Sequence, residues 1–446
     1  MSSFTKNIAL TFSSRFLAAI FTSLSTILIS RAFGPVGKGI FTMVAFFPTL
    51  ALQFGHLGLG NANTYLISQD KEKTRKSFYN SFWYGLIIGW LFIVIFSLIY
   101  RYSPTSILGK GNIGNWAFYL SLLAIPFILW ENFYQGIFVG RQEFKFFNLI
   151  SLLSKILLFF GLVVLIFYFK VGLENLKYAI IYYVILMTLP AVIYSIYFLT
   201  QFGFPFEFDK SIFKKAIDFG LRSYVSCLLA FLVLRSDIYL LNYFKGFEDV
   251  GYYSIAVGFC DGILLIISSI TLVLFPKITE NQSEGLNTTL KVSRLSSLML
   301  ILIIIFSFIF GKTIILLLFG YQFLKSLIPF YILLPALYFW AINSFLAQFF
   351  ASKGYPWKSV FLWFPGLLLN IILNIIYIPQ YGIIATALTS LLAYFVTFIL
   401  HYLYLQRFSK VSFLKILVPL KSEILGQLRK KISNSSYDKK KFSENI

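Results

Sequence analysis

Twelve apolar stretches, each long enough to cross a lipid bilayer, occupy most of this sequence. About 20 predominantly apolar residues span a membrane as a helix, and inside the bilayer every backbone amide must find its partner within the protein. The stretches are too long and continuous for barrel strands, so they predict an all-α integral membrane protein. We place the spans at 8–33, 39–66, 78–100, 116–140, 147–169, 176–200, 220–244, 251–275, 292–318, 327–350, 359–379 and 383–405.

The composition agrees with this class, because 58% of the 446 residues are hydrophobic and 12% are charged, against about 25% charged in a typical soluble domain. The net charge is +21. When the loops are numbered alternately, most Lys and Arg fall on the side of the N-terminus, which predicts that both termini are cytoplasmic. The same charge predicts attraction to anionic phospholipids at that face. The sequence contains no soluble basic domain, so we expect no nucleic-acid partner.

The chain repeats itself at an offset of about 212 residues. Arg31–Thr42, which contains Gly39, aligns with Tyr243–Ser254, which contains Gly251, and each segment joins the first span of its half to the second. Six spans per half let both halves enter from the same side, so we expect two six-helix lobes related by a pseudo-two-fold axis. The predicted domains are an N-terminal lobe at 1–205, a C-terminal lobe at 206–405, and a basic cytoplasmic tail at 406–446 whose segment Val411–Leu428 is expected to lie in the membrane interface.

Short segments in several places carry a family resemblance, in the expected order and at corresponding spans. They are Phe33-Gly-Pro with Gly39-Ile-Phe, Arg235-Ser-Asp237-Ile-Tyr-Leu-Leu, Val250-Gly-Tyr-Tyr-Ser-Ile-Ala256, Leu274-Phe-Pro-Lys-Ile278, and Leu369-Asn370-Ile-Ile-Leu-Asn374 with Ile378-Pro-Gln-Tyr-Gly382-Ile. In these segments the chain resembles the polysaccharide-export flippases, the O-antigen type included, of the multidrug/oligosaccharidyl-lipid/polysaccharide (MOP) superfamily.

The resemblance implies a V-shaped, MATE-like transporter whose lobes alternate between inward-open and outward-open states. The first two helices of each lobe would line its cavity. The implied cargo is an oligosaccharide repeat unit on polyprenyl pyrophosphate, carried across the bacterial cytoplasmic membrane for O-antigen, capsule or similar polysaccharide, with other polysaccharide-assembly proteins as partners. An ion-coupled drug or metabolite antiporter of the same superfamily is the alternative. A membrane polymerase or ligase is less favoured, because the longest outer loop, around Arg101 to Asn115, is too short for a catalytic domain.

Two arginines inside the spans are candidate ligands for the pyrophosphate. A charge at the centre of a membrane helix costs about 2.5 to 3.5 kcal/mol on insertion scales, so its presence there suggests a polar cavity or a partner. Arg15 and Arg235 lie on equivalent helices of the two halves, and a guanidinium suits a pyrophosphate. We therefore hypothesise that both bind the cargo. The alternative for Arg15 is that its side chain extends to the cytoplasmic headgroups.

Three acids inside the spans are candidates for coupling transport to H⁺ or Na⁺: Glu131, Asp237 and Asp261. Each has a structural alternative. Asp261 is a possible ion-pair partner of Arg235, Asp237 is as well suited to a structural bond, and Glu131 is placed to pair with Lys155. Arg235 and Asp237 are two residues apart, about 200° around a helix, so they cannot pair with each other.

The remaining polar residues point to packing rather than to cofactor chemistry. Cys227 and Cys260 both fall inside spans, which argues against a disulfide framework or a metal site. Gly311-Lys312-Thr313 resembles the end of a phosphate-binding loop, but Phe306 stands where the first Gly belongs. We expect no cofactor, no bound metal and no ATP use by this chain. Asn370 and Asn374, one helical turn apart, are predicted to bond neighbouring helices.

Overall fold

The computed structural model describes residues 3–103, 115–280, 283–353 and 356–417, and within these ranges the chain is helical with no strand. Ten helical segments there are long and apolar enough to cross a membrane, which confirms an all-α multi-pass membrane protein. The helices are α1 (Ser3–Gly55), α2 (Leu59–Gln69), α3 (Thr74–Tyr102), α4 (Asn115–Leu123), α5 (Ile125–Arg141), α6 (Phe144–Val163), α7 (Leu176–Phe202), α8 (Lys210–Lys245), α9 (Phe247–Glu280), α10 (Gly285–Phe319), α11 (Leu327–Ser352), α12 (Trp357–Val360), α13 (Trp363–Leu405) and α14 (Leu414–Leu417).

Two of these helices are too long to be single membrane spans, and each contains a break. A straight helix of the 53 residues of α1 would extend about 80 Å, against a hydrocarbon core of about 30 Å. Gly34 interrupts it with φ of 65°, a value that glycine adopts without steric cost, next to Pro35. Gly382, with φ of 53°, interrupts α13 in the same way after Pro379. The breaks fall between the spans predicted from the sequence, and the number of twelve spans stays a prediction.

Two other predicted spans are interrupted inside the membrane. The span placed at 39–66 is broken between α1 and α2, where Leu57 and Gly58 adopt φ of 43° and 75°. The span placed at 116–140 is broken at Ala124, just before Pro126. Proline cannot donate the helical hydrogen bond and its ring displaces the preceding turn, so it separates α4 from α5.

The two halves of the chain meet at one end through glycines of α1 and α9. A Cβ on Gly39 would lie 1.8 Å from the carbonyl oxygen of Phe247, and a Cβ on Gly251 would lie 1.9 Å from that of Pro35. The contact is reciprocal, because the two glycines correspond in the sequence repeat. We call Pro35, Gly39, Phe247 and Gly251 the upper contact. Glycine is required there because any side chain would separate the two backbones.

A hydrogen-bonded arginine lies beside the upper contact. Arg31 Nε donates to the carbonyl of Leu318, 2.8 Å away, and its Nη2 donates to the carbonyl of Leu317. Gln322 Nε2 donates to the carbonyl of Ser30 at 3.3 Å. These bonds hold α1 to the end of α10, so this end of the molecule is closed between the halves.

The halves also meet at the opposite end, where α2 and the end of α1 pack against α8. The Tyr224 hydroxyl donates to the carbonyl of Phe54 at 2.7 Å. The rings of Tyr65 and Phe219 stack with centroids 4.1 Å apart, and the backbones of Gly58 and Gly220 approach closely. We call these six residues the lower contact.

The linker before α8 is bonded to α3 of the first half. The Asn80 side chain donates to the Asp209 carbonyl at 2.9 Å and accepts from the Asp209 N–H at 2.8 Å. Trp83 Nε1 donates to the carbonyl of Pro205 at 2.7 Å. The Asp209 carboxylate caps α8 by accepting from the Ile212 N–H, and it pairs with Lys76 at 2.9 Å. Both interactions favour its charged form and lower the pKa of Asp209.

The described part of the tail packs against the C-terminal half. Ile416 is fully buried, its carbonyl accepts from Ser293 at 3.1 Å, and the Lys415 carbonyl accepts from Arg294 at 2.8 Å. The ring of Phe413 contacts Phe398 on α13. Residues 411–417 thus lie between α10 and α13. The remainder of the predicted interfacial segment lies outside the described residues.

Candidate functional site

Arg235 on α8 and Asp261 on α9 form an ion pair near the middle of their helices. The Nη2 atom of Arg235 donates to both carboxylate oxygens of Asp261, at 2.8 and 2.9 Å. The side chains are 24% and 42% exposed, respectively, so the pair faces an open space rather than the core. Of the alternatives left open for Asp261, the structure therefore shows the one in which it pairs with Arg235.

Lys38, on α1 of the other half, lies within Coulombic range of the same acid. Its Nζ donates to Thr42 Oγ1 at 3.3 Å, one turn further along the helix. The sequence places Lys38 in an outer loop, because the first two apolar stretches are separated there. The structure continues the helix from Pro35, so Lys38 falls in a first helical turn rather than in a loop. We call Lys38, Arg235 and Asp261 the central cluster.

The central cluster borders an open space. Gly258 and Gly262 lie on α9 three residues before and one residue after Asp261. Both are exposed, and a Cβ built on either would meet no atom within 4 Å. Nearby, the rings of Phe46 on α1 and Tyr239 on α8 stack across the two halves at 6.2 Å. Arg235 therefore offers a cationic group to this space, and Lys38 of the other half lies within Coulombic range of the carboxylate that Arg235 binds.

Asp237 is placed differently, because its carboxylate is 1% exposed and fully engaged. It accepts from the hydroxyl of Tyr253 at 2.6 Å, from Ser390 at 3.0 Å and from the Ile238 N–H at 2.7 Å. These bonds join α8 to α9 and α13. Three donors of this kind stabilise a buried carboxylate that lacks a bonded cation.

The hydrogen bonds around Asp237 continue into α13. Asn370 Oδ1 accepts from Ser236 at 3.1 Å and from Asn374 at 2.9 Å. Asn374 Oδ1 accepts from Thr389 at 2.5 Å. The predicted role of both asparagines in bonding neighbouring helices matches these contacts. We call Asp237, Tyr253, Ser390, Asn370, Asn374 and Thr389 the buried polar network.

The remaining predicted site residues lie elsewhere. Glu131 on α5 accepts from Gln135 at 3.1 Å and is attracted by Lys155 on α6, but in the described ranges no ion pair joins them. Arg15 is exposed and lies about 30 Å along the helix from Pro35. Among the residues that the structure describes, no hydrogen bond or ion pair joins Arg15 to the central cluster, and its role in binding the cargo stays a prediction.

The chemistry available at these sites is ionic and hydrogen-bonding. Within the part of the chain that the structure describes, no group of three or more His, Cys, Asp or Glu is arranged to hold a metal ion. His56 lies at the lower contact, where its Nδ1 accepts from the Gly58 N–H at 3.0 Å and its ring packs edge-on against Tyr224.

A sequence profile of the family described as polysaccharide biosynthesis proteins matches residues 4–282, more than half of the chain. The chain belongs to this family. An uncharacterised membrane protein of Methanocaldococcus jannaschii is 24% identical over 432 residues, which cover 90% of this chain and 83% of that protein. A Haloferax volcanii protein described as a probable low-salt glycan biosynthesis flippase is 22% identical over 212 residues, 46% of this chain and 45% of its own length.

The fold of this family member is also found in solved transporter structures. The lipid II flippase MurJ, in an inward closed conformation, superposes with a TM-score of 0.73 at 17% identity, over 92% of this chain and 89% of that chain. An inward-facing MATE family transporter of the MOP superfamily gives 0.70 at 16% identity, over 91% and 99% of the two chains. An outward-facing MATE structure gives 0.59 at 14% identity, over 90% and 93%. The MATE-like fold and the family resemblance predicted from the motifs are confirmed.

Proposed function

We propose that this protein translocates polyprenyl-pyrophosphate-linked oligosaccharide repeat units across the cytoplasmic membrane for surface polysaccharide synthesis. The observation that carries the proposal is the central cluster, in which Arg235 faces an open space and Lys38 of the other half lies within Coulombic range of the same carboxylate. A pyrophosphate cannot enter a bilayer unaided, and paired basic groups compensate its charge inside the protein. An arginine donates in a fixed fork and a lysine acts as a point charge, so the two serve complementary purposes.

The family and its relatives support this class of cargo. The matching family is defined by polysaccharide biosynthesis. One relative is described as a glycan biosynthesis flippase, and the superposed MurJ is a lipid II flippase. The finer part of the proposal is a bacterial pathway for O-antigen, capsule or a similar polymer, with both termini cytoplasmic and other assembly proteins as partners.

Transport would proceed by alternating access between the two halves. In support, the upper contact is closed, and the fold superposes better on the inward-facing MATE structure than on the outward-facing one. Below the central cluster, α9 presents exposed residues, namely Leu265, Ile266, Ser269 and Val273. The cargo headgroup would enter along this exposed part of α9 after the lower contact separates, and it would leave after the upper contact separates.

Ion coupling, by H⁺ or Na⁺, is proposed for Asp237. Of the three acids predicted for this role, we choose Asp237 because it is buried and is bonded to hydroxyl groups of two neighbouring helices. Asp261 is instead bonded to a cation, Arg235. Asp237→Asn is expected to remove the dependence of transport on the coupling ion.

A drug or metabolite antiporter of the same superfamily is the second candidate. Such a protein would favour an acidic cavity for cationic substrates. The central cluster contains two basic residues and one acid, so it favours an anionic cargo instead.

The deciding experiment compares a deletion strain with strains expressing Arg235→Ala or the wild type. Lipid-linked repeat units should accumulate on the cytoplasmic leaflet in the deletion strain and in the Arg235→Ala strain, with loss of surface polysaccharide. Arg101→Ala is the matched control, because Arg101 is an exposed arginine in the last turn of α3. Wild-type surface polysaccharide in the Arg235→Ala strain would refute the proposed site, and drug sensitivity without accumulation would favour the antiporter.

A further inference from the structure

The ion pair of the central cluster uses a small part of the hydrogen-bonding capacity of Arg235. A guanidinium carries five N–H donors on three nitrogens. In the described part of the chain, the hydrogen bonds of this side chain to Asp261 all come from Nη2. Its Nε and Nη1 donors remain available to a ligand that enters the open space. Asp261 therefore occupies one edge of the Arg235 guanidinium, and this guanidinium can bind a larger anion.

The same carboxylate is shared between the two halves. Arg235 belongs to α8 of the second half, whereas Lys38 belongs to α1 of the first half and is attracted to Asp261. A pyrophosphate bound at the remaining donors of Arg235 would bring at least two negative charges close to the carboxylate of Asp261. Like charges repel strongly in a partly desolvated site, so the bound phosphate disfavours the present position of the carboxylate.

The surroundings of Asp261 give it room to move away. The space beside its backbone is unfilled, because a Cβ on Gly258 or on Gly262 would meet no atom within 4 Å. The side chain of Asp261 is itself 42% exposed, so another χ1 rotamer can point into this space. Asp237, the other acid near Arg235, has no such freedom, because Tyr253 and Ser390 hold its oxygens.

We propose that Asp261 is a built-in counter-ion, which neutralises Arg235 and Lys38 while the cleft is empty and withdraws when the pyrophosphate of the cargo binds. The inference rests on the proposed function and adds to it a means of release. Two uncompensated cations would retain the anionic product or capture free phosphate. The returning carboxylate displaces the product and lets the empty protein reset.

The test measures binding of inorganic pyrophosphate by calorimetry, using the purified full-length protein in nanodiscs of uncharged lipid. Asp261→Asn keeps the shape of the side chain and removes the competing charge. It should bind pyrophosphate about fivefold more tightly or better, while supporting less polysaccharide export than the wild type. Asp261→Glu keeps the charge and should bind like the wild type. Arg235→Ala should lose binding in either background.

If Asp261 instead positions Arg235, Asp261→Asn should bind pyrophosphate more weakly than the wild type, because the arginine would lose the bond that orients it. Unchanged or weaker binding by folded Asp261→Asn overturns the counter-ion role and leaves the phosphate site intact. Equal binding by wild type and Arg235→Ala instead rejects the phosphate site of the proposed function. If Asp261→Asn does not fold, Gly258→Val provides the test. This variant fills the space for withdrawal and should weaken pyrophosphate binding several-fold, and unchanged binding would overturn the inference.

Discussion

Substituting Gly39 or Gly251 with alanine should open the upper contact. The added Cβ would lie 1.8 Å from the Phe247 carbonyl oxygen in one variant and 1.9 Å from the Pro35 carbonyl oxygen in the other. A carbon and an oxygen need about 3.3 Å, so α1 and α9 must separate by about 1.5 Å. Overpacking of this kind costs about 1 to 3 kcal/mol, which corresponds to a shift of about 5- to 150-fold from the closed to the open upper contact.

The assay is a distance measurement between spin labels on either side of the upper contact. The chain has two cysteines, Cys227 and Cys260, so a cysteine-free background needs two substitutions. Labels at the exposed positions Val36 and Tyr243 should report a longer distance in Gly39→Ala than in the parent. The same labels should report a similar increase in Gly251→Ala, because the contact is reciprocal.

The matched control is Gly172→Ala. Gly172 lies in a loop, and a Cβ there would meet no atom within 4 Å, so the same chemical change should leave the distance distribution unchanged. A distribution in Gly39→Ala identical to that of the parent, with normal export, would refute both the closeness of the two backbones and the role of this contact in closing the upper end.

Three further outcomes are expected. Tyr253→Phe removes the hydroxyl that donates to the buried carboxylate of Asp237 at 2.6 Å. This loss should lower the free energy of unfolding by about 1.5 to 3 kcal/mol, measured by denaturant titration in detergent. An unchanged midpoint of the titration would contradict the hydrogen bonds of the buried polar network. Asn80→Ala breaks both bonds to the Asp209 backbone and should cost about 1 to 3 kcal/mol in the same titration, whereas Asn80→Ala with wild-type stability would show that the linker is not held there. The pKa of Asp209 is lowered in the folded state, so its charge adds stability above its unfolded pKa of about 3.9, and this contribution is lost as the pH falls through the lower folded value. Thermal melts should therefore separate wild type from Asp209→Asn at pH 7, and the gap should shrink as the pH falls below about 3.9 through the lowered pKa of the folded state. A gap that widens in acid would reverse the assigned sign.

The fold could be predicted from the sequence because the features that determine it are local in the chain. Apolar length predicts helices in a bilayer, and Gly34 with Pro35 marks the break inside α1 from residue chemistry alone. The interruption at Leu57 and Gly58 could not be predicted in that way. Its backbone is set by the approach of Gly220 from the other half, which is a tertiary contact without a sequence pattern.

The angle of about 200° between Arg235 and Asp237 predicted that the two do not pair with each other, and in the structure each has other partners. It did not predict that Asp237 is buried. Pairing Arg15 with Arg235 relied on equivalence between the halves, which fixes the helix but not the depth along it. Lys38 was missed because counting charges by loop assigns a residue to solvent when it follows an apolar stretch. The signal that could have placed Lys38 in a helix was its position in the first turn after a proline, four residues before Thr42.

The two ends of α8 are held by different halves of the molecule. Its first residue follows Asp209, which is bonded to α3, while Lys245 at its end donates to the carbonyl of Pro379 on α13 at 2.9 Å. Because its two ends are bonded to different halves, α8 cannot move as a rigid body with either half. Any rocking between the halves must therefore bend α8 between Asp209 and Arg235, because Ser236 and Asp237 are bonded to α13.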